Sequence, residues 1–277
     1  MTVGDSRDTR NCRLRVVPGR LIPTMPRVTC EALALRRTPF GETSQIAEFL
    51  TRERGRLGLI LKGVHRPKAR KGGGVDLLDH CRVSFTDRRR SRSMPPLSER
   101  VVLSHHPRMR AREDTLRAGL YVVERVRSLV PEGQRMRGVF DVVLDAVETL
   151  DGEPDEAAVP SVLFALEGGL LRMSGFQPEL DRCVSCGRHA EAHHSLRCVP
   201  AMGGVVCSTC FAGSDAASFP LSAGGAGAVR RFAHVAPSAV RDVVLPAAIE
   251  RDVRRFYDRT FLHVLERPPR CAAPANV

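Results

Sequence analysis

Tryptophan is absent from the 277 residues, tyrosine occurs twice, and aromatic residues make up 5% of the chain. Both tyrosines, Tyr121 and Tyr257, lie outside the N-terminal third, so base stacking there would have to use Phe40, Phe49 or Phe85, each of which reads first as core. No run approaches the roughly 18 to 20 apolar residues that a membrane-spanning helix needs. The opening MTVGDSRDTRNCRLRVV lacks the apolar centre of a secretory signal, and the expectation is a cytoplasmic protein with reduced thiols. Gly-Lys-Ser/Thr does not occur, which excludes a phosphate-cradling P-loop. HExxH and GxSxG are missing as well, and the glycines at 72–74 and 224–227 follow no strand in a dinucleotide-binding register. No catalytic residues are assigned, and the expectation is a protein that is not an enzyme.

What the chain has is positive charge in one place. The net charge is +12, and residues 1–104 hold 22 Lys and Arg against 10 Asp and Glu, which leaves 21 of each sign in the remainder. A basic block of this kind releases counterions on binding a polyanion, although an anionic membrane surface would attract it too. The candidate nucleic-acid contacts are Arg36, Arg37, Lys62, Arg66, Lys68, Arg70, Lys71, Arg88, Arg89, Arg90 and Arg92. Binding through them would depend strongly on salt and weakly on base sequence.

Hydrophobic periodicity divides the chain. Residues 1–26 are basic with little period and read as a flexible extension, either a phosphate-binding arm or a leader from a misassigned start. Residues 27–106 contain strand-like runs at 28–36, 44–51, 56–64, 79–87 and 97–105. In the third run Leu57, Leu59 and Leu61 keep the two-residue period of a half-buried strand. Five short strands fit a small closed barrel, and among such barrels the OB-fold is a frequent binder of nucleic acid; an SH3-type barrel is the alternative. From 107 to 270 the period becomes helical, with helices expected at 111–130, 134–150, 158–174, 221–234 and 238–263, and a short tail at 271–277. The first of these would bury Leu116, Leu120, Val123 and Val126 or Val130. Asp141, Asp145 and Glu148 share one side of the second and read as a solvated face. The fold class is therefore α+β: a five-stranded barrel followed by a helical domain.

The helical pattern is interrupted at 183–210 by Cys183-Val-Ser-Cys186, then 20 residues, then Cys207-Ser-Thr-Cys210. Two thiolate pairs, each gripping one side of a tetrahedral ion, match a closed structural zinc site, and Gly187, Gly203 and Gly204 let the backbone turn close to the sulfurs. A redox dithiol and an iron–sulfur cluster are the competing readings. His189, His193, His194 and Cys198 lie between or beside the pairs and read first as solvated or packing residues, while Cys12, Cys30, Cys81 and Cys271 have no partner at ligand spacing.

The stretch EALALRRTPFGETSQIAEFLTRERGRLGLILKGVHRPKAR (31–70) resembles the N-terminal barrel of the RecO recombination mediators. The likeness is carried by Gly41-Glu42, by Thr51-Arg52-Glu53-Arg54-Gly55, and by Lys62-Gly63 followed by Arg66-Pro67-Lys68. GFQPELDRCVSCGR (175–188) with GGVVCSTC (203–210) is a second match, and the resemblance covers about residues 28–265. The basic extension and the insert SRSMPPLSE (91–99) depart from it. What the resemblance implies is an OB-fold, a helical domain and one structural Zn2+. It also implies binding of single- and double-stranded DNA, annealing of complementary strands, and action with RecR to load RecA onto strands coated by single-stranded-DNA-binding protein. A zinc-ribbon RNA-binding or transcription-associated protein is the alternative from the residues alone.

Overall fold

A computed structural model describes residues 27–64, 73–86, 94–190, 196–213 and 217–266. Five antiparallel strands come first: β1 Arg27–Phe40, β2 Ser44–Thr51, β3 Gly55–Leu61, β4 His80–Thr86 and β5 Leu97–Ser104. Their order, β3-β2-β1-β4-β5, is that of an OB-fold-like sheet curling on itself. Cys30, Ala32, Ala34, Phe49, Leu59, Leu61, Val83 and Phe85 fill its interior.

The barrel is not closed, contrary to the sequence expectation. Among the described residues, β3 is joined to the segment entering β5 where Ile60 N–H donates to Pro95 O and Ile60 pairs with Pro96 as an isolated parallel bridge. Pro95 and Pro96 have no N–H to return, so no ladder can propagate from that point.

β1 runs four residues past its expected end and is buried on both faces at its centre. Cys30, Ala32 and Ala34 enter the barrel core, whereas Leu33 and Leu35 join the core of the helices together with Leu50 of β2. Full burial of each such leucine is worth roughly 1.5–3 kcal/mol, so these side chains bind the sheet to the helices. The pairing with β2 shifts at a bulge between Ala34 and Arg36; beyond it Arg36 to Phe40 are exposed.

Among the described residues six α-helices follow: α1 Pro107–Ala111, α2 Glu113–Leu129, α3 Val139–Asp151, α4 Val159–Met173, α5 Ala223–Phe232 and α6 Ala247–Leu265. α4 is buried on every side from Val159 through Leu171, as a central helix must be, and is apolar there except at Ser161 and Glu167. At Gly168 a Cβ would lie 2.8 Å from Ala233 Cα and from the Tyr257 hydroxyl, so the absent side chain lets the end of α5 and α6 close on α4.

Three helical expectations need correction. α3 begins at Val139 rather than 134, because 131–138 docks on β3: Gly133 N–H donates to Arg56 O at 2.7 Å, and a Cβ on Gly55 would collide with Gln134 O. α6 begins at Ala247 rather than 238, since Pro246 cannot extend a helix backwards and sets its own extended backbone as the cap. The buried face of α2 includes Val123 and Val126, as expected, together with Ala118, Tyr121, Val122, Arg125 and Leu129, while Leu120 is exposed. An arginine sits where the apolar pattern had placed solvent. Arg125 Nε donates to Glu167 Oε1 at 2.9 Å, Tyr121 OH donates to the same oxygen at 2.5 Å, and the guanidinium lies 4.3 Å from the Phe261 ring centroid. Burial pushes the Glu167 carboxyl up, and Arg125 and Tyr121 oppose it.

Candidate metal centre and nucleic-acid interface

A small sheet carries the cysteines: β6 Leu196–Val199, β7 Gly204–Cys207 and β8 Phe219–Leu221, in the order β7-β6-β8. β7 ends at Cys207. The loop bearing Cys183 is fastened to β7 by Val205 N–H to Glu179 O at 2.9 Å and Val184 N–H to Val205 O at 2.9 Å. Gly204 permits this approach, because a Cβ there would lie 2.5 Å from Glu179 O. Gly187, at φ 72°, turns the chain directly after Cys186.

These contacts bring Cys183, Cys186, Cys207 and Cys210 together with all Sγ atoms within 4.8 Å of one another and Cys186 Sγ 3.9 Å from Cys207 Sγ. Sulfurs at about 2.3 Å from a tetrahedral ion stand roughly 3.8 Å apart, so the donor set fits a metal of that geometry. Cys183 and Cys207 are buried and Cys186 is exposed, which places the centre at the edge of the fold. Burial pushes the Cys183 thiol up, but N–H groups of Cys207, Cys186 and Ser185 outweigh it and bring the group down to about 6. Hydrogen bonds from Cys207 and Cys186 push the Cys210 thiol up to about 12. Four thiols this close cannot all ionise without a cation among them, and a cation is what the cluster can hold. Four sulfur ligands would leave no open position for water or substrate.

Cys198 stands apart. It is buried in the helical core, and burial pushes its thiol up to about 12. His189 is exposed, as expected of a solvated residue, and His193 and His194 lie outside the described residues. Cys30 and Cys81 are buried in the sheet.

Of the candidate nucleic-acid contacts, Arg36, Arg37 and Lys62 are described and all three are exposed. Arg36 and Lys62 share the outer face of the β1–β2–β3 sheet, because the register places Arg36 opposite Glu48 and Gln45 opposite Leu61. Arg37 belongs to the other face and pairs with Asp76 at 3.2 Å. Arg66, Lys68, Arg70, Lys71, Arg88, Arg89, Arg90 and Arg92 lie outside the described residues.

The aromatic expectation splits. Phe49 and Phe85 are core, but Phe40 is 51% exposed at the end of β1. Sequence reasoning had set it aside because the length of β1 beyond Arg36 was not visible from hydrophobic alternation.

The acidic side of α3 is not simply solvated. Asp141 binds Arg52 at 2.7 Å, and Asp145 accepts the Ser238 N–H at 2.9 Å. Beside them a cleft of about 480 Å³ opens between α3 and the end of α4, with Val142, Met173, Arg172 and His234 among its walls. No helix of the described residues is long and apolar enough to cross a membrane.

Family models match both parts of the chain: recombination protein O N terminal over residues 25–104 and recombination protein O C terminal over residues 113–271. The chain is 33% identical over 180 residues to the DNA repair protein RecO of Rhodopirellula baltica, a match that spans 65% of each chain. It is 33% identical over 183 residues to that of Symbiobacterium thermophilum, covering 65% of this chain and 70% of the relative. With the DNA repair protein RecO of Desulforudis audaxviator the identity is 29% over 249 residues, 90% of this chain and 96% of the relative. With two models that together follow the barrel, the helices and the cysteine-bearing insert, the chain belongs to the recombination protein O family of DNA repair proteins.

Proposed function

We propose that the protein is a non-enzymatic recombination mediator. It holds single- and double-stranded DNA on its barrel, anneals complementary strands and, with RecR, loads RecA onto strands coated by single-stranded-DNA-binding protein. The observation that carries this reading is the confinement of all the excess positive charge to residues 1–104 of a chain in this family. Basic side chains there neutralise the phosphates of two strands at once and lower their mutual repulsion, so that complementary bases can meet. The eight basic residues at 66–71 and 88–92 would contribute alongside Arg36, Arg37 and Lys62.

The Cys183, Cys186, Cys207 and Cys210 cluster takes one Zn2+ in this account, with a structural role. The cleft beside α3 offers an apolar floor of Val142 and Met173 for a segment of a partner protein. The protein works in the cytoplasm, on the nucleoid.

The test is annealing of complementary oligonucleotides by the full chain, with and without ATP. Equal rates are expected, and complete dependence on ATP would reject the passive mechanism. Competition among single-stranded DNA, duplex DNA and structured RNA supplies the second arm, in which a preference for structured RNA would favour an RNA-binding zinc protein.

A further inference from the structure

We infer that the outer face of the β1–β2 hairpin is a stacking site for one unpaired nucleobase, with Phe40 as the platform and Arg36 and Lys62 as the flanking phosphate contacts. The inference rests on the barrel being the DNA-binding surface and adds how that surface tells single strands from duplex.

The bulge between Ala34 and Arg36 sets the geometry. Before it, the outer face of β1 and β2 is covered by the helices through Leu33, Leu35 and Leu50. After it, Arg36 to Phe40 of β1 are exposed, while Met94 lies against Gly58 farther across on β3. Pairing of Arg36 with Glu48, Thr38 with Ile46 and Phe40 with Ser44 puts these side chains on one surface, and pairing of Ile46 with Ile60 extends it onto β3. Lys62 follows Leu61, the partner of Gln45, and so stands beside Ser44 on that surface. Phe40 is an exposed aromatic ring and the one on this sheet face among the described residues, Phe176 lying after α4, and half-buried Ile46 and Ile60 form the floor next to it.

Charge favours a polyanion on this face. Glu48 is already engaged by Arg56 at 3.3 Å and Arg127 at 3.4 Å, whereas Arg36 and Lys62 make no ion pair with another described residue. Glu42, exposed in the turn beyond Phe40, disfavours phosphate at the very tip and leaves the strand side for the backbone. Two strand spacings separate Phe40 from Lys62, roughly 10 Å, and four residues separate it from Arg36, roughly 13 Å, distances that one or two nucleotides of an extended strand bridge. A base inside a duplex has both faces covered by its neighbours, so the ring can accept only a base without a partner. Arg36 and Lys62 attract either form, and Phe40 discriminates.

The experiment uses the full chain, the Phe40→Ala and Phe40→Tyr variants, and three labelled probes of equal length: oligo-dT, an abasic strand and a duplex. Phe40→Ala should weaken oligo-dT binding about tenfold, leave the abasic strand and the duplex unchanged, and keep the parent melting temperature. Phe40→Tyr should restore oligo-dT binding. Equal oligo-dT affinity for Phe40→Ala and the parent would overturn the inference while the DNA-binding reading stands, and so would an equal loss on all three probes. A parent that binds none of the probes at low ionic strength would overturn the DNA-binding reading itself.

Discussion

The sheet and the helices differ in the balance of their charge. Arginines are paired in both: Arg125 is buried against Glu167, Arg112 pairs with Asp114 at 2.5 Å and Arg230 with Asp181 at 3.1 Å among the helices, and Arg37 pairs with Asp76 at 3.2 Å beside the sheet. On the sheet, Arg36 and Lys62 project from an open face without an ionic partner among the described residues. Acid matches base beyond residue 104, and the whole surplus of positive charge lies before it. What distinguishes the two regions is the imbalance rather than the amount of charge.

The largest expected effect lies in the helical half. Removing the metal with a chelator, or replacing Cys207 by Ser, should cost more than about 5 kcal/mol locally, since binding free energy at a closed thiolate site is folding free energy. Metal analysis should find one zinc per parent chain and none in Cys207→Ser, with oligonucleotide affinity retained. A metal-free chain melting with the parent would show the cluster to have another use.

Next is Arg125→Ala, which strands the Glu167 carboxylate in the core and should destabilise by about 3–5 kcal/mol in urea unfolding. Pairing Arg125→Met with Glu167→Gln should recover much of that loss. Failure to recover would mean that the ring contacts of the guanidinium, rather than the charge pair, hold α2 in place.

On the sheet, Arg36→Ala and Lys62→Ala should leave stability unchanged and each reduce the slope of log affinity against log salt for a single strand by about 0.7. An unchanged slope would remove these two residues from the interface and leave the basic segments at 66–71 and 88–92 to account for it.

The smallest effect belongs to the junction between the regions. His106 is buried at φ 48°, its Nδ1 is 2.9 Å from Leu78 O, and its ring stacks on His80, which in turn meets Glu31 at 2.9 Å. Burial holds the His106 imidazole below its ordinary value, with His80 and Arg110 in support and Leu78 O and Asp151 opposed. A histidine held down in this way contributes stability that is complete above its unfolded value of about 6.5 and is lost as pH falls through the folded one. His106→Gln should therefore flatten the decline of stability between neutral and mildly acidic pH. A decline of parental size in the variant would rule out His106 as its source.

Much of this organisation was legible in the residues. Leu57, Leu59 and Leu61 marked β3, and the spacing of Cys183, Cys186, Cys207 and Cys210 marked the cluster, because each is a local pattern with a fixed spacing. What was not legible depends on contacts distant in sequence. Arg125 is buried only because Glu167, 42 residues on, meets it, so periodicity placed Leu120 inside instead. Phe40 reads as core until the bulge after Ala34 shows that β1 continues into open solvent. The gap between β3 and β5 follows from Pro95 and Pro96, whose missing donors matter only once the sheet has curled far enough to bring Ile60 to them.

The most direct test of the account is a salt titration of single-stranded oligonucleotide binding by the full chain. The account predicts a linear fall of log affinity with log salt at a slope of about −3 or steeper, as expected when four or more phosphates are neutralised at about 0.7 each. Binding that is flat with salt, or absent at low ionic strength, would contradict it.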